Sequence, residues 1–343
     1  MPQSEIEGMG MPQLIGCCRA AMLGLLLLGT TAHAAALRVG YLPNIGFAPL
    51  DIAESKGYWK ELGVQVQLVP FADSHSQMKA LAEGNIDVAG DLTANFVGWA
   101  MEGAPIKLTA ETHTSNGSVK ILLKSGLEVT RLNGQALGVG EKQVGQLFLV
   151  SRYLSANGRQ LSDFKIQEST PEKLTANFGK GQLPIVVLPD PQALFIYRTA
   201  GAVIGADSAT YPGLVTEGFA ANNKSLVSIP DEQWIRFYRG WIKAVAVLRG
   251  GNMKWSEFRG GLDSVVYQGF LVEGEASTMG ALASIKFPNN AEALKRHGNL
   301  GGLEYHVRAV LRFMREAGLS KTEPEARSLI QSTAFERALA ASK

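Results

Sequence analysis

The sequence predicts an α/β protein of two lobes, each a mostly parallel sheet flanked by helices, with a helix-rich C-terminal part. Three observations predict it. Strand and helix patterns alternate from Leu37 to Thr112, the alternation restarts at Ala136, and past Val215 the apolar spacing becomes helical. Regular β–α alternation is the pattern of a sheet whose crossover connections pack against its faces.

A leader precedes the first lobe. The apolar run AAMLGLLLLG, residues 20–29, follows a single positive charge at Arg19, and Ala32-His33-Ala34 fits the A-x-A pattern of a signal-peptidase site. The run is too short for a bilayer, which needs roughly 20 apolar residues. Glu5 and Glu7 are foreign to a basic n-region, and translation from Met9 or Met11 would remove both. Leu14-Ile15-Gly16-Cys17 has lipobox character, but Cys17 precedes the apolar run instead of following it. The expected product is therefore a soluble periplasmic protein of residues 35–343. Cys17 and Cys18, the two cysteines of the sequence, leave with the leader. A thiol-free product has no disulfide, no zinc–thiolate site and no cysteine nucleophile. The formal charge of +2 becomes +3 when Arg19, Glu5 and Glu7 are removed. That balance argues against nucleic acid, for which a basic patch is expected. The length suits about two domains.

The first lobe opens with a strand at Leu37–Tyr41 and a helix from Pro49 to Leu62, which Gly63 stops. Val64–Val69 alternates with period two and reads as a strand. A helix is expected over Ser74–Glu83, with Met78, Leu81 and Ala82 as its stripe and Gly84-Asn85 at its end. Strands at Ile86–Gly90 and Ile106–Thr112 flank a helix over Leu92–Met101. In the second lobe, strands are expected at Ala136–Val139, Phe164–Gln167, Leu183–Leu188 and Ala202–Ile204. The helices between them cover Val144–Ala156, the segment opened by Thr170-Pro171, and Asp190–Thr199; proline suits a first helical position. Beyond Val215, Trp234, Tyr238, Trp241, Val245 and Leu248 recur at helical spacing within Asp231–Leu248, the pattern of a helix docked on a core. Further amphipathic helices are expected at Ala291–Arg296, Leu303–Ala317 and Pro324–Leu339. Junctions near Lys124-Ser125-Gly126 and Glu217-Gly218 divide the chain into one lobe of residues 35–123 and 219–343 and another of residues 124–218. Two connections of this kind permit hinge closure.

Familiar catalytic motifs fail. Gly140 to Gln146 resembles the start of a phosphate loop, but Lys and Ser/Thr are missing after its second glycine. Gly138-x-Gly140 lacks a correctly placed third glycine. His75, His113, His297 and His306 show no metal-ligand spacing, so no metal and no cofactor is expected. No G-x-S-x-G elbow is present. What remains is polar residues at strand C-terminal ends, where open parallel sheets bind ligands. They lie in the loop Pro43–Phe47, in Ala72-Asp73-Ser74-His75, in Asp91-Leu92-Thr93, in Thr112-His113-Thr114, in Glu141–Gly145 and in Pro189–Gln192. Asp73, Asp91 and Asp190 are also ordinary N-cap choices; their common edge is what singles them out.

The stretches LRVGYLPNIGFAPL (37–50), IAESKGYW (52–59), LGVQV (62–66), MKALAEGNIDVA (78–89) and GAPIK (103–107) resemble the nitrate/sulfonate/taurine/bicarbonate-type substrate-binding proteins of ABC importers, and LNGQALGV (132–139) is similar to their second-lobe opening. The resemblance implies a type II periplasmic-binding fold that closes on a small-molecule ligand and docks on an ABC permease of the inner membrane. It carries pocket roles over to Asn44, Phe47, Ser74, Asp91, Thr93, Thr112, Gln143, Val144 and Gly145; His75, His113 and Asp190 join them by position. One departure stands out. Where many relatives have Trp-Glu-Pro, this chain has Pro189-Asp190-Pro191. Asp190 would repel a second anion and could accept from an amine, amide or hydroxyl. No lysine or arginine aligns with the pocket, so an anion would rely on backbone N–H groups. Asp190→Ala is expected to weaken binding by roughly tenfold or more without lowering the melting temperature of the ligand-free protein.

The expectation is thus a monomeric, non-enzymatic solute-binding component for a small polar organic molecule or anion. The alternative is an enzyme on the same fold, a lyase or dehydratase using Asp91, His113 or Asp190. Enzymes similar to this family, a desulfinase and a thiamine-precursor pyrimidine synthase, use cysteines that this chain lacks after the leader.

Overall fold

The computed structural model describes residues 36–250 and 280–342, so the leader and its cleavage site lie outside the described residues. The first sheet begins with β1 (Leu37–Tyr41), β2 (Val66–Pro70), β3 (Val88–Leu92) and β4 (Ile106–Ser115). Between them run α1 (Ala48–Ser55), α2 (Tyr58–Leu62), α3 (Ser74–Glu83) and α4 (Thr93–Met101). The single helix expected over Pro49–Leu62 is two, because Gly57 sits at φ 67°, a left-handed turn that ends α1. α3 keeps its expected bounds: Asp73 caps it through Ser76 N, and Gly84 closes it in the left-handed conformation.

The second sheet is built from β5 (Val119–Lys124), β6 (Ala136–Gly140), β7 (Lys165–Ser169), β8 (Ile185–Pro189) and β9 (Ala202–Asp207), with α5 (Val144–Ala156), α6 (Pro171–Gly179) and α7 (Gln192–Thr199) on its faces. The chain then returns to the first sheet as β10 (Thr216–Asn222), followed by α8 (Asn223–Ser228) and α9 (Asp231–Arg249). Later in the chain come β11 (Ile285–Lys286), α10 (Asn290–His297), α11 (Gly302–Glu316), a 3-10 turn at Ala326–Leu329 and α12 (Thr333–Ala341). The helix expected from Pro324 begins only at Thr333; before it, Ile330 forms a bridge to Leu108.

Strand order is β11-β4-β10-β3-β1-β2 in one sheet and β7-β6-β8-β5-β9 in the other. β1 to β4 all run one way, and β10 lies antiparallel between β3 and β4. In the second sheet β5 plays the same part, antiparallel to β8 and β9. Each sheet is thus mostly parallel in direction with one reversed strand inside it, the first element after the chain crosses over, and the first sheet adds β11, antiparallel to β4 at its edge. The crossings fall at residues 116–118 and 208–215. Lys124–Gly126 is instead the turn after β5, and Glu217-Gly218 lies inside β10. β10 escaped the sequence reading because all seven of its residues are buried, so its pattern has no alternation. Gly218 is required there: a Cβ would stand 2.0 Å from the Ala110 carbonyl oxygen, at an irregularity in the β4 register.

Three apolar clusters hold the lobes, one of them, around Leu174, Phe178 and Ile196, within the second sheet and its helices α6 and α7. α9 lays Trp234, Phe237, Tyr238 and Trp241 against the first sheet, with Trp241 edge-on to Phe219 at 4.9 Å and Tyr238 Oη donating to Thr109 Oγ1 at 2.6 Å. Asp231 and Glu232 in its first turn complement the helix dipole. A second core runs between the lobes through α4, α5 and α11, where Phe148 and Phe313 meet at 5.1 Å. At the crossings, Ser208 Oγ accepts from Gly117 N at 2.7 Å and shares a hydrogen bond with Ser115 Oγ at 2.6 Å, tying the two connections together. No described helix is long and apolar enough to cross a membrane.

Candidate functional site

A cavity of about 270 Å3 opens between the sheets at the C-terminal ends of their parallel strands, where such sheets place ligands. Its wall carries Asn44 and Phe47 from the loop after β1, Ser74 and His75 from the start of α3, Asp91 from the end of β3, Gln143 from before α5 and Asp190 from the loop after β8. These residues are far apart in sequence and meet because each ends a strand or begins the next helix.

Asn44 shapes its own loop, its Oδ1 accepting from Gly46 N at 2.8 Å and Phe47 N at 3.3 Å. Phe47 is fully buried and meets the His113 ring edge-on at 5.3 Å. Asp91 is the hub of the first lobe: Ser74 Oγ donates to its Oδ2, while Leu92 N at 2.6 Å and Asn95 Nδ2 at 2.9 Å donate to Oδ1. Burial pushes Asp91 up to about 6 even though these donors favour the carboxylate, and Glu217 adds repulsion. Asn95 then crosses to the other lobe, where its Nδ2 donates to Gln143 Oε1 at 2.8 Å and its Oδ1 accepts from Gly145 N at 3.0 Å. His75 packs edge-on to Trp99 at 5.5 Å, and its Nδ1 has no hydrogen-bond partner among the described residues.

Asp190 is not alone. Lys120 Nζ, on β5, donates to Asp190 Oδ2 and to the Gly117 carbonyl, each at 2.5 Å. Burial still pushes Asp190 up to about 6 against the pull of Lys120, and Asp190 Oδ1 is buried without a partner among the described residues. This pair overturns the expectation that Asp190→Ala would leave the protein's stability untouched, because that substitution strips a buried ammonium of its counter-ion.

Five expected residues do not reach the wall. Thr93 is fully buried as the first residue of α4. Val144 belongs to the core between the lobes, and Gly145 N is spent on Asn95. Thr112 and His113 stand behind β10, the strand inserted between β3 and β4, with Thr112 Oγ1 donating to the Glu217 carbonyl at 3.3 Å. In their place β10 presents Glu217, which lines the cavity, has a side chain only 8% exposed and lies 3.4 Å from His113 Nε2. In the sequence Glu217 stands at an expected junction; the strand around it, β10, is what brings its side chain to the wall. Gln146, Ser118 and Thr170 also line the cavity unforeseen.

The electrostatic character of the wall is one-sided. Asp73, Asp91, Glu141, Glu172, Asp190 and Glu217 line it, and no lysine or arginine does among the described residues. One N–H at each of four helix starts around it is engaged within the fold: Asp73 accepts from Ser76 N of α3, Asp91 from Leu92 N before α4, Asn95 from Gly145 N of α5 and Thr170 from Lys173 N of α6.

Comparison with known proteins agrees with this architecture. A binding protein of Brucella abortus (strain 2308) is 25% identical over 153 residues, 43% of this chain and 46% of that protein, so the chain spans about half the length of the curated relatives it matches. The alkanesulfonate-binding protein of Xanthomonas axonopodis pv. citri, solved with MOPS bound, shares the fold with a TM-score of 0.68 at 16% identity, over 88% of this chain and 100% of that one. The periplasmic nitrate-binding protein of Synechocystis does so with a TM-score of 0.67 at 13% identity, over 89% of this chain and 88% of the other. The periplasmic-binding-protein fold expected from the sequence is thereby shown. The model of the family described as NMT1/THI5 like matches residues 44–231, more than half of the chain and both sides of the cavity, and the chain belongs to that family.

Proposed function

We propose that this chain is the periplasmic solute-binding component of an ABC importer, which closes its two lobes on a small polar organic molecule and delivers it to an inner-membrane permease. The observation that carries this reading is the cavity at the strand ends of both sheets, in a chain that crosses twice between them, a plan that permits closure. Its volume of about 270 Å3 lies just below the roughly 300–1,000 Å3 of drug-sized pockets, which suits a small metabolite. Asn44, Phe47, Ser74, His75, Asp91, Gln143 and Asp190 are the proposed ligand contacts. The groups a lyase would need are otherwise engaged: both oxygens of Asp91 hold the loop and α4 together, and His113 lies behind Phe47. That supports binding without turnover.

The test uses the full chain expressed with its own leader, fractionated, and screened by thermal shift against sulfonates, nitrate, bicarbonate, amino acids, amines, aromatic acids and pyrimidines. A ligand held at about 100 times its dissociation constant adds about 2.7 kcal/mol of stability. We expect a periplasmic protein stabilised by one chemical class and returning that ligand unchanged by mass spectrometry. Conversion of the ligand to a product, or silence across the whole panel, would sink the proposal.

A further inference from the structure

An anion held in a cleft of this kind draws on cationic side chains or on free N–H groups at helix starts. This cleft has no lysine or arginine among its described lining residues, and part of its helix-start N–H groups is spent within the fold. Its one nearby ammonium, Lys120, is committed to Asp190 and the Gly117 carbonyl. One first-turn N–H each of α3, α5 and α6, and the N–H that precedes α4, already serves the protein's own oxygens.

What the cleft does offer is unmet acceptors. The Glu217 side chain is more than nine-tenths buried and accepts no hydrogen bond among the described residues, its nearest cationic candidate being His113 Nε2 at 3.4 Å. Asp190 Oδ1 is buried and has no hydrogen-bond partner among the described residues, although the Leu194 N–H at the start of α7 favours the Asp190 carboxylate. Glu217 belongs to the first sheet and Asp190 follows a strand of the second. A buried carboxylate without donors is costly, and a ligand that supplies them recovers that cost. Phe47, Phe71 and Pro189 add apolar surface for an organic body.

We infer, on the solute-binding reading above, that the ligand is a small organic cation carrying N–H groups, such as a protonated amine, amidine or guanidine, and that Glu217 and Asp190 select it against sulfonate, nitrate and bicarbonate. Donors directed at both carboxylates link the two lobes, so the same contacts that confer selectivity favour closure.

The experiment is isothermal titration of the purified protein with butylamine, putrescine, agmatine and benzamidine, with choline as a cation that lacks N–H, and with butanesulfonate, nitrate and bicarbonate. We expect at least one N–H cation to bind, choline to bind at least tenfold more weakly than it, and the anions to give no heat of binding. Glu217→Gln, checked for an unchanged circular-dichroism spectrum, is expected to weaken the bound cation by roughly tenfold or more, the loss of about one charged hydrogen bond, and Glu217→Asp to recover part of it. Asp190→Asn serves as the second variant should Glu217→Gln misfold. Binding of an anion without any cation overturns this inference and leaves the solute-binding reading standing. No binding by any of the cations overturns it too, and the broader thermal-shift panel then decides that reading separately. Unchanged cation affinity in Glu217→Gln and Asp190→Asn removes the two carboxylates from the site.

Discussion

Glu111 on β4 and Glu217 on β10 stand on neighbouring strands, where Glu111 pairs with Gly218 in the register, and both are buried. The fold treats them in opposite ways. Adjacent positions on a strand point to opposite faces, so Glu111 faces the C-terminal helices while Glu217 faces the cleft. Burial alone would raise Glu111, but Arg296 of α10 donates to it and holds its carboxyl below the usual range. His297, beside it, is kept neutral by burial: its Nε2 accepts from Glu111 N at 2.8 Å, which leaves the proton on Nδ1, facing the Ala293 carbonyl at 2.7 Å. On the helical face, then, each buried acid meets a designed counterpart. On the cleft face the pairing is incomplete: Asp91 has neutral donors only, Asp190 keeps Lys120 on one oxygen while the other has no partner, both are pushed up, and Glu217 accepts no hydrogen bond among the described residues. Charges that the fold needs are paired within the fold; those left unpaired at a cavity are the ones a ligand can use.

The contrast can be broken most forcefully on its structural side. Arg296→Ala leaves Glu111 buried without its cation, a change that costs about 3 to 4 kcal/mol, the low end for breaking a buried pair because Arg296 is itself about a third exposed. Urea denaturation measures it; a loss within about 0.5 kcal/mol would mean that Glu111 is not held by Arg296. The cleft side predicts a pH effect of opposite origin. Asp91, facing Ser74, Leu92 N, Asn95 and Glu217, has a folded value of about 6 against an ordinary 3.8, so between these values the folded state binds more protons than the unfolded one. Its contribution to stability is complete below 3.8 and is lost as pH rises through 6. At about 1.4 kcal/mol per pH unit, the wild type should lose about 2 to 3 kcal/mol more than Asp91→Asn between pH 4 and pH 7. Parallel stability curves for the two proteins would contradict the assignment. The smallest effect concerns the neutral donor that serves the cleft acid. Asn95→Ala removes hydrogen bonds to Asp91, Gln143 and Gly145 N and should cost about 1 to 2 kcal/mol, with native-state hydrogen exchange rising at the start of α5. Unchanged exchange there would show that Asn95 does not tie the lobes together.

Much of the frame was legible in the sequence because it is local. α3 and α5 fall on their expected bounds, one through the Asp73 cap and Gly84 stop, the other through an apolar stripe following a strand. Asn44, Ser74, Asp91, Gln143 and Asp190 reach the cavity wall because each was recognised as following a strand. β5 and β10 were not recognised. Both are the reversed strands of their sheets, and VKILLK and TEGFAAN show no alternation because almost every residue in them is buried. Missing β10 misplaced Thr112 and His113, and it turned Glu217 into a presumed junction.

The sequence by itself determined the α/β alternation, the two-lobe plan and the family, since periodicity, caps and short motifs are written along the chain. Only the tertiary structure decided which carboxylates are countered. Lys120 meets Asp190 across 70 positions and Arg296 meets Glu111 across 185, while Glu217 meets no lysine or arginine among the described residues, only His113 at 3.4 Å. Pairing of charge is a property of distance in space, and no pattern of neighbours along the chain encodes it.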